Sequence, residues 1–496
     1  MSNIATEVRT GLFIGGEERF TTDVLRVADP GKKGVIVGEA AAASAEDVAD
    51  AVAAAKAAYP AWSALTPQQR AAHMSQAIAE IAADRDEDAA ILSQENGKVR
   101  MEAWVDALVF ELRWNLALML ADEVDDSKTL PVVPGAIPVS TEVSYQSLGV
   151  VTIIVPFNWP IAILAASLPH ALLAGNTVIV KAPPSAPLAT ARLTQRVAEK
   201  LPAGVLNVIA GEDQHMAGLI QNPDVAKVCF TGSVNGGKRM MEMASKTLTR
   251  VTLELGGNDA AVILEDAILD DAHLDRLFAA IYDTTGQICM NAKRLYVHRS
   301  RLDEVVAGLS ARLERTVLGY GLDEGTTMGP LHSPVQKAFV QDLINEAKAA
   351  GADVREFGEL PGGDLAEGNF VRPAIVIDPA PQLRVVTQEQ FGPVIPILPF
   401  DTEDEAVSAS NDTWAGLGGS VWTASPAAAQ RVGSQLVCGY VWINDHGATR
   451  CDLRAPFGGM KQSGIGREQG IEGIRSFQDT RSIATIDPEA LAAMAH

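Results

Sequence analysis

Three short stretches of the chain hold residue types from which bond-making chemistry is built. In "TTGQICMNAKR" (284–294), Cys289 sits in a turn rich in Thr, Gly and Gln. A thiolate presented from a turn is a nucleophile for covalent catalysis. A lone Cys is also a common small core residue, and the other three fit that description: Cys229 in a strand-like run, Cys438 in "QLVCGYVWI", Cys451 in a loop. In "VTLELGGND" (251–259), Glu254 closes an apolar strand-like stretch before a Gly-Gly turn. Burial there would raise its carboxyl toward the range of a general base; a buried Glu held by backbone donors fits as well. In "TIIVPFNWPIAI" (152–163), Asn158 lies between two prolines within a run, Val143 to Val180, that holds no Lys, Arg, Asp or Glu. A fourth stretch, "TQEQFGPVIPI" (387–397), puts Glu389 and Phe391 before a Gly-Pro turn and an apolar strand, which is equally the pattern of an ordinary loop.

These residues need elements to position them. The uncharged run is long enough to span a bilayer, but Pro156, Pro160, Pro169, Gly175 and Asn176 divide it. It reads as strand (150–155), helix (161–173) and strand (177–181), the pattern of a parallel sheet buried on both faces. Strand-like runs at 205–210 and 227–230, with helices at 187–200 and 213–220, continue it as a doubly wound, Rossmann-type α/β unit. The usual GxGxxG after the first of these strands is missing. "FTGSVNGG" (230–237) instead follows a short strand and opens a helix, where free amides suit a pyrophosphate; a plain tight turn suits it equally. "GIGREQG" (464–470) follows no strand and fails that test. A second α/β stretch spans 257–443, with apolar runs at 260–264, 294–298, 374–377, 394–398 and 439–443. Ahead of both lie helices expected at 44–60, opened by Ser44 with Asp47 three residues on, at 67–83 and at 87–120. The segment 122–147 reads as an exposed hairpin.

The chain has 496 residues, enough for about two to four domains. It is 47% hydrophobic, with a formal charge of −22, a sign that repels nucleic-acid phosphates and anionic lipid. Four scattered cysteines without a CxxC pair suggest neither a disulfide framework nor a metal site. With no basic-then-apolar leader at the start, a reducing cytoplasm is the expected compartment.

Taken in order, PFNWP (156–160), FTGS (230–233), ELGG (254–257), GQIC (286–289), EQFGPV (389–394) and PFGGMKQSGIGRE (456–468) resemble the motifs of the aldehyde dehydrogenase superfamily over essentially the whole chain. The resemblance implies oxidation of an aldehyde to its acid with NAD(P)+. It makes Cys289 the nucleophile, Asn158 the side-chain donor to the oxyanion beside the Cys289 amide, and Glu254 the base that activates water. It also implies cofactor contacts from Pro156, Phe157, Lys181, Pro184, Gly211, Phe230, Gly232, Ser233, Gly237, Leu255, Gly256, Glu389 and Phe391. Trp159, Ile163, Ala166, Ile288, Met290 and Phe457 become the substrate wall, suited to a medium, fairly hydrophobic aldehyde. No metal is implied.

Three features depart from the family's usual pattern. Pro184 replaces a Glu that many NAD-specific members carry, which leaves NADP+ use open. Phe157 and Trp159 invert the common PWNFP order. Ser167 stands where many members carry a Lys that could relay protons. The resemblance further implies a cofactor domain (1–121 and 148–256), a catalytic domain (257–443), a return segment lining the active site (444–469), and an oligomerisation element (122–147 and 470–496) whose two parts pair across subunits of a homodimer or homotetramer. Asp445, Arg450 and Arg454 would suit an amino- or carboxy-aldehyde, or form ion pairs of a solvated loop. A semialdehyde-specific or CoA-acylating relative, or a catalytically silent one, is the alternative function.

Overall fold

The computed structural model describes residues 8–79, 81–125, 127–132, 139–213, 217–486 and 491–492. Five parallel strands lie at the centre of the first half, in the order Arg250–Glu254, Val225–Thr231, Val150–Ile154, Thr177–Lys181, Leu206–Ile209. Their side chains divide between two apolar cores. Val151, Ile153, Val178 and Val180 enter one, and Val150, Ile154, Ile179 and Val228 the other. Burial on both faces explains why these strands show no polar alternation. The uncharged run is therefore strand, helix (Pro160–Leu173) and strand, and among the described residues no helix is long and apolar enough to cross a membrane.

A second sheet runs Asp353–Glu356, Ala374–Ile377, Val394–Phe400, Ala292–His298, Asp259–Ile263, Gly418–Trp422, Tyr440–Ile443, parallel except for its first strand. The five strands expected here are present. Asp353–Glu356 and Gly418–Trp422 were not foreseen, the first because it is short and mostly charged, the second because its two glycines and Ser420 carry little strand propensity.

Other elements differ from expectation. Five short strands between Val8 and Ala41 precede the first helix. That helix, Ala45–Ser63, has the Ser44–Asp47 capping box. The second ends at Ile78 and is followed by a 3-10 turn, Ile81–Asp84. The single helix expected over 87–120 is two, Arg85–Asn96 and Arg100–Leu118. Gly97 breaks it with φ +89°, a left-handed cap that Gly adopts without a Cβ penalty. The break lets Lys98 turn inward to a fully buried ion pair with Asp106 at 2.9 Å. Of the helix expected at 213–220, Gly218–Gln221 is helical, and 214–216 lie outside the described residues.

The hairpin expected at 122–147 consists of Lys128–Leu130 and Val139–Ser147, with 133–138 outside the described residues. Gln478–Ile486 adds a third strand beside Val139–Ser147, pairing within one chain. The return segment also contributes a strand: Gly464–Ile465 pairs antiparallel with the end of Arg250–Glu254.

Candidate active site

Asn158 and Cys289 are brought together by two unusual turns. Asn158 follows the strand Val150–Ile154 and precedes Pro160, the first residue of its helix. Proline suits that position because its missing N–H is unpaired there anyway. Asn96 Nδ2 donates to Phe157 O at 3.1 Å and fixes the turn. Asn158 Nδ2 in turn donates to Gln287 O at 2.9 Å, two residues before Cys289. The amide's second N–H remains for another acceptor, and the positive end of the helix dipole lies beside it.

The Cys289 loop starts with strain. Thr284 and Thr285 have φ of +54° and +56°, a region that β-branched residues avoid and that surrounding contacts must impose. Glu102 Oε1 accepts from Thr284 N at 2.6 Å, Thr285 Oγ1 donates to Gly329 O at 3.0 Å, and Trp159 Nε1 donates to Thr284 Oγ1 at 2.9 Å. Buried Lys293 reaches back with Nζ to Gly286 O (3.2 Å) and Ile288 O (2.6 Å). Sequence reading missed this Lys, although it lies in the quoted stretch, four residues after the thiol. Burial pushes the Cys289 thiol up, Glu389, Asp259 and Glu254 add repulsion, and Lys293 opposes them.

Glu254 ends its strand, 5% exposed, and neither carboxylate oxygen has a hydrogen-bond partner among the described residues. Burial first, and then the charge of Glu468, hold its carboxyl well above the ordinary range, against the pull of Arg467. The Gly459 amide pulls the same way as Arg467 without reaching hydrogen-bond geometry with either Glu254 oxygen. Gly458 makes room for the carboxylate: a Cβ there would lie 2.8 Å from Oε1. Ser167, in the place of the family's Lys, donates to Glu468 Oε1.

Most of the expected cofactor residues lie at the carboxyl ends of the five parallel strands, where open α/β sheets bind ligands, while Glu389 and Phe391 precede Val394–Phe400 of the second sheet. Lys181 ends one strand with Pro184 in the turn beyond, Gly211 follows the next, and Phe230 is the penultimate residue of another, with Gly232 and Ser233 just past its end. Ser233 caps the helix Val234–Ala244, accepting from Gly236 N at 3.1 Å. A Cβ on Gly232 would lie 2.6 Å from the Phe230 ring, and one on Gly237 2.6 Å from Leu255. The glycines are thus set by close packing against Phe230 and Leu255, and the helix start they open fits a pyrophosphate. Nearer Cys289, the Gly257 amide donates to Glu389 Oε1 at 3.2 Å, a Cβ on Gly256 would collide with the same carboxylate, and Pro156 is half-buried. Burial raises Glu389 to about 7. Phe391 stands edge-on to Phe157, with centroids 6.1 Å apart. His332, which no sequence signal marked, stacks on Phe157 at 3.9 Å.

Trp159, Ile288, Met290 and Phe457 share one apolar cluster, against which Cys289 and Ile163 pack. Ala166 is buried in its helix but lies outside that cluster. Ala162, Leu417 and Trp442 join the cluster, with Tyr440 and Cys451 packed on it. They carry no common signal in the sequence because they come from separate segments of the chain that meet only in the fold. Asp445 lies 3.8 Å from both Arg276 and Arg450, and Arg454 lies 2.7 Å from Asp452, so these charges form ion pairs with one another.

The aldehyde dehydrogenase family pattern matches residues 18–483. The chain belongs to the aldehyde dehydrogenase family. That membership makes it an NAD(P)+-dependent enzyme of aldehyde oxidation, as the ordered motifs led us to expect. It is 32% identical over 487 residues to betaine aldehyde dehydrogenase of Rhizobium etli, covering 95% of this chain and 96% of that protein. The solved aldehyde dehydrogenase of Brucella melitensis superposes with a TM-score of 0.92 at 30% identity, covering 98% and 99% of the two chains. Betaine aldehyde dehydrogenase of Staphylococcus aureus, solved with NAD+, gives 0.90 at 30% identity, covering 97% and 95%.

Proposed function

We propose that this aldehyde dehydrogenase works through Cys289, Asn158 and Glu254 and releases a free carboxylic acid from an uncharged, largely apolar aldehyde. The observation that carries this reading is the buried Glu254 carboxylate, without a hydrogen-bond partner among the described residues and near enough to Cys289 for its charge to oppose the thiolate. Cys289 Sγ bonds to the aldehyde carbon, and its proton leaves to solvent or a nearby carboxylate. The resulting oxyanion is met by Asn158 Nδ2 and the Cys289 amide, donors aimed where charge develops. When bound, the nicotinamide accepts the hydride that leaves that carbon. The Cys289 thioester is then opened by water whose proton Glu254 takes, returning the thiolate. An acylating relative that hands the acyl group to CoA needs no such base, so Glu254 favours hydrolysis.

Glu389, Phe157 and Phe391 hold the reactive end of the cofactor, and Lys181 with the Ser233 turn its far end. The apolar cluster at Cys289 and the paired state of Asp445, Arg450 and Arg454 favour an uncharged substrate. A second reading, a quaternary-ammonium aldehyde, is favoured by Tyr440, whose ring lies 4.5 Å from Trp442 and 6.1 Å from Phe457. Aromatic faces attract such cations. The same reading keeps a cofactor domain (1–121 and 148–256) and a catalytic domain (257–443), supported by the strand Gly464–Ile465, which pairs the return segment with the cofactor sheet. The three-stranded sheet ending in Gln478–Ile486, exposed along most of that strand, serves assembly into a homodimer or homotetramer. Four free thiols suit a reducing cytoplasm.

The test is formation of reduced cofactor by purified protein. NAD+ and NADP+ are crossed with apolar, quaternary-ammonium and carboxylated aldehydes, with and without CoA, and Cys289→Ala serves as control. Apolar aldehydes should give free acid independently of CoA, and the control should give none. Turnover only with CoA, or activity unchanged in the control, would contradict the proposal.

A further inference from the structure

Lys181 and Asp213 form an ion pair at the carboxyl ends of two adjacent parallel strands. The Lys181 ammonium lies 2.7 Å from Asp213 Oδ1, and the two side chains differ sharply in exposure, 3% against 89%. Lys181 closes the strand Thr177–Lys181, and Asp213 follows Leu206–Ile209, two residues beyond Gly211. The lysine is held in place by its buried stem, while the carboxylate stands over it, open to solvent.

In doubly wound folds this edge receives the adenosine ribose, where an acidic residue accepts from the 2′-hydroxyl and opposes a 2′-phosphate. Pro184, in the turn beyond Lys181, offers neither a carboxylate nor a backbone N–H. Asp213 supplies the acceptor from the neighbouring strand instead. It also engages the Lys181 charge that a 2′-phosphate would need, whereas Glu212, likewise exposed, lies outside that pair. A 2′-phosphate arriving here would have to displace a carboxylate from its ammonium and remain beside it. A free hydroxyl only adds a hydrogen bond.

We infer that Asp213, through its pair with Lys181, makes this enzyme select NAD+ over NADP+, a role that rests on the cofactor reading of this strand edge. Pro184 alone left both cofactors open; the Asp213 carboxylate closes that opening.

The test is equilibrium binding of NADH and NADPH, followed by nicotinamide fluorescence on the full-length protein, with kcat/KM for both oxidised cofactors alongside. Wild type should bind NADH about tenfold or more tightly than NADPH, the scale of one charge–charge contact near a surface. Asp213→Asn should close most of that gap by gaining NADPH affinity, whereas Glu212→Gln should leave the ratio nearly unchanged. Equal or tighter NADPH binding by wild type, or an Asp213→Asn ratio equal to wild type, would overturn the inference. So would an equal effect from Glu212→Gln, which would mark diffuse charge as the cause. Lys181→Ala separates the two levels of the argument. If it weakens neither ligand, the cofactor reading of this edge falls and the inference with it. If it weakens binding while Asp213→Asn leaves the ratio unmoved, the role of Asp213 alone falls.

Discussion

Asn158 has one amide N–H engaged by Gln287 O and one to offer. Asn158→Ala removes that donor without touching the thiol. Loss of one oxyanion donor costs about a hundredfold to a thousandfold in kcat, so we expect a fall of that size with little change in KM, measured with a single apolar aldehyde. The ionisable residues set the pH dependence. Burial raises both the Cys289 thiol and the Glu254 carboxyl, and both act in their deprotonated forms. Activity should therefore climb with pH from about 6 to 9, since each unit converts more of both groups. A pH–rate profile that falls over that range would contradict these assignments.

At the scale of elements, the break at Gly97 does more than shorten a helix. It turns Lys98 inward onto Asp106, and Asp106 Oδ1 accepts from Ala162 N at 2.6 Å, in the first turn of the helix that follows Asn158. Lys98→Met leaves that carboxylate buried without its cation, a change worth about 3–5 kcal/mol. We expect a matching drop in the denaturation midpoint, largely recovered in Lys98→Met/Asp106→Leu. The break itself was written in the sequence as Gly97. It was overlooked because the apolar pattern continues on both sides, and one glycine inside such a pattern is usually tolerated. Doubly buried strands were legible from uncharged runs bounded by Gly and Pro. Gly418–Trp422 was not, because its burial comes from neighbouring strands and not from its own residues. In the same way, the motifs marked Cys289, Glu254 and Asn158, while His332 and Trp442 reach the site only through tertiary folding, and Lys293, inside a marked stretch, reveals its inward reach only in the fold.

At the scale of the whole molecule, several buried carboxylates couple folding to pH. Burial raises Glu95 to about 8, although it accepts from Leu188 N and Ala189 N, and raises Asp283 to about 7. Groups whose folded pKa lies above the unfolded one bind protons more tightly when folded. They therefore cost no stability below the unfolded value of about 4 and cost progressively more as pH rises through the folded value. The thermal midpoint should fall between about pH 5 and pH 8, and Glu95→Gln should flatten that fall. An identical slope in the variant would remove Glu95 from the explanation.

The central claim is that a Cys289 acyl-enzyme is opened by water that Glu254 activates. Its most direct test is rapid mixing of Glu254→Gln with saturating cofactor and aldehyde, followed by intact-mass analysis of the quenched protein. The claim predicts a burst of one reduced cofactor per site, a much slower steady state, and the acyl mass held on Cys289. Steady turnover at the wild-type rate, or no acyl mass after the burst, would contradict it.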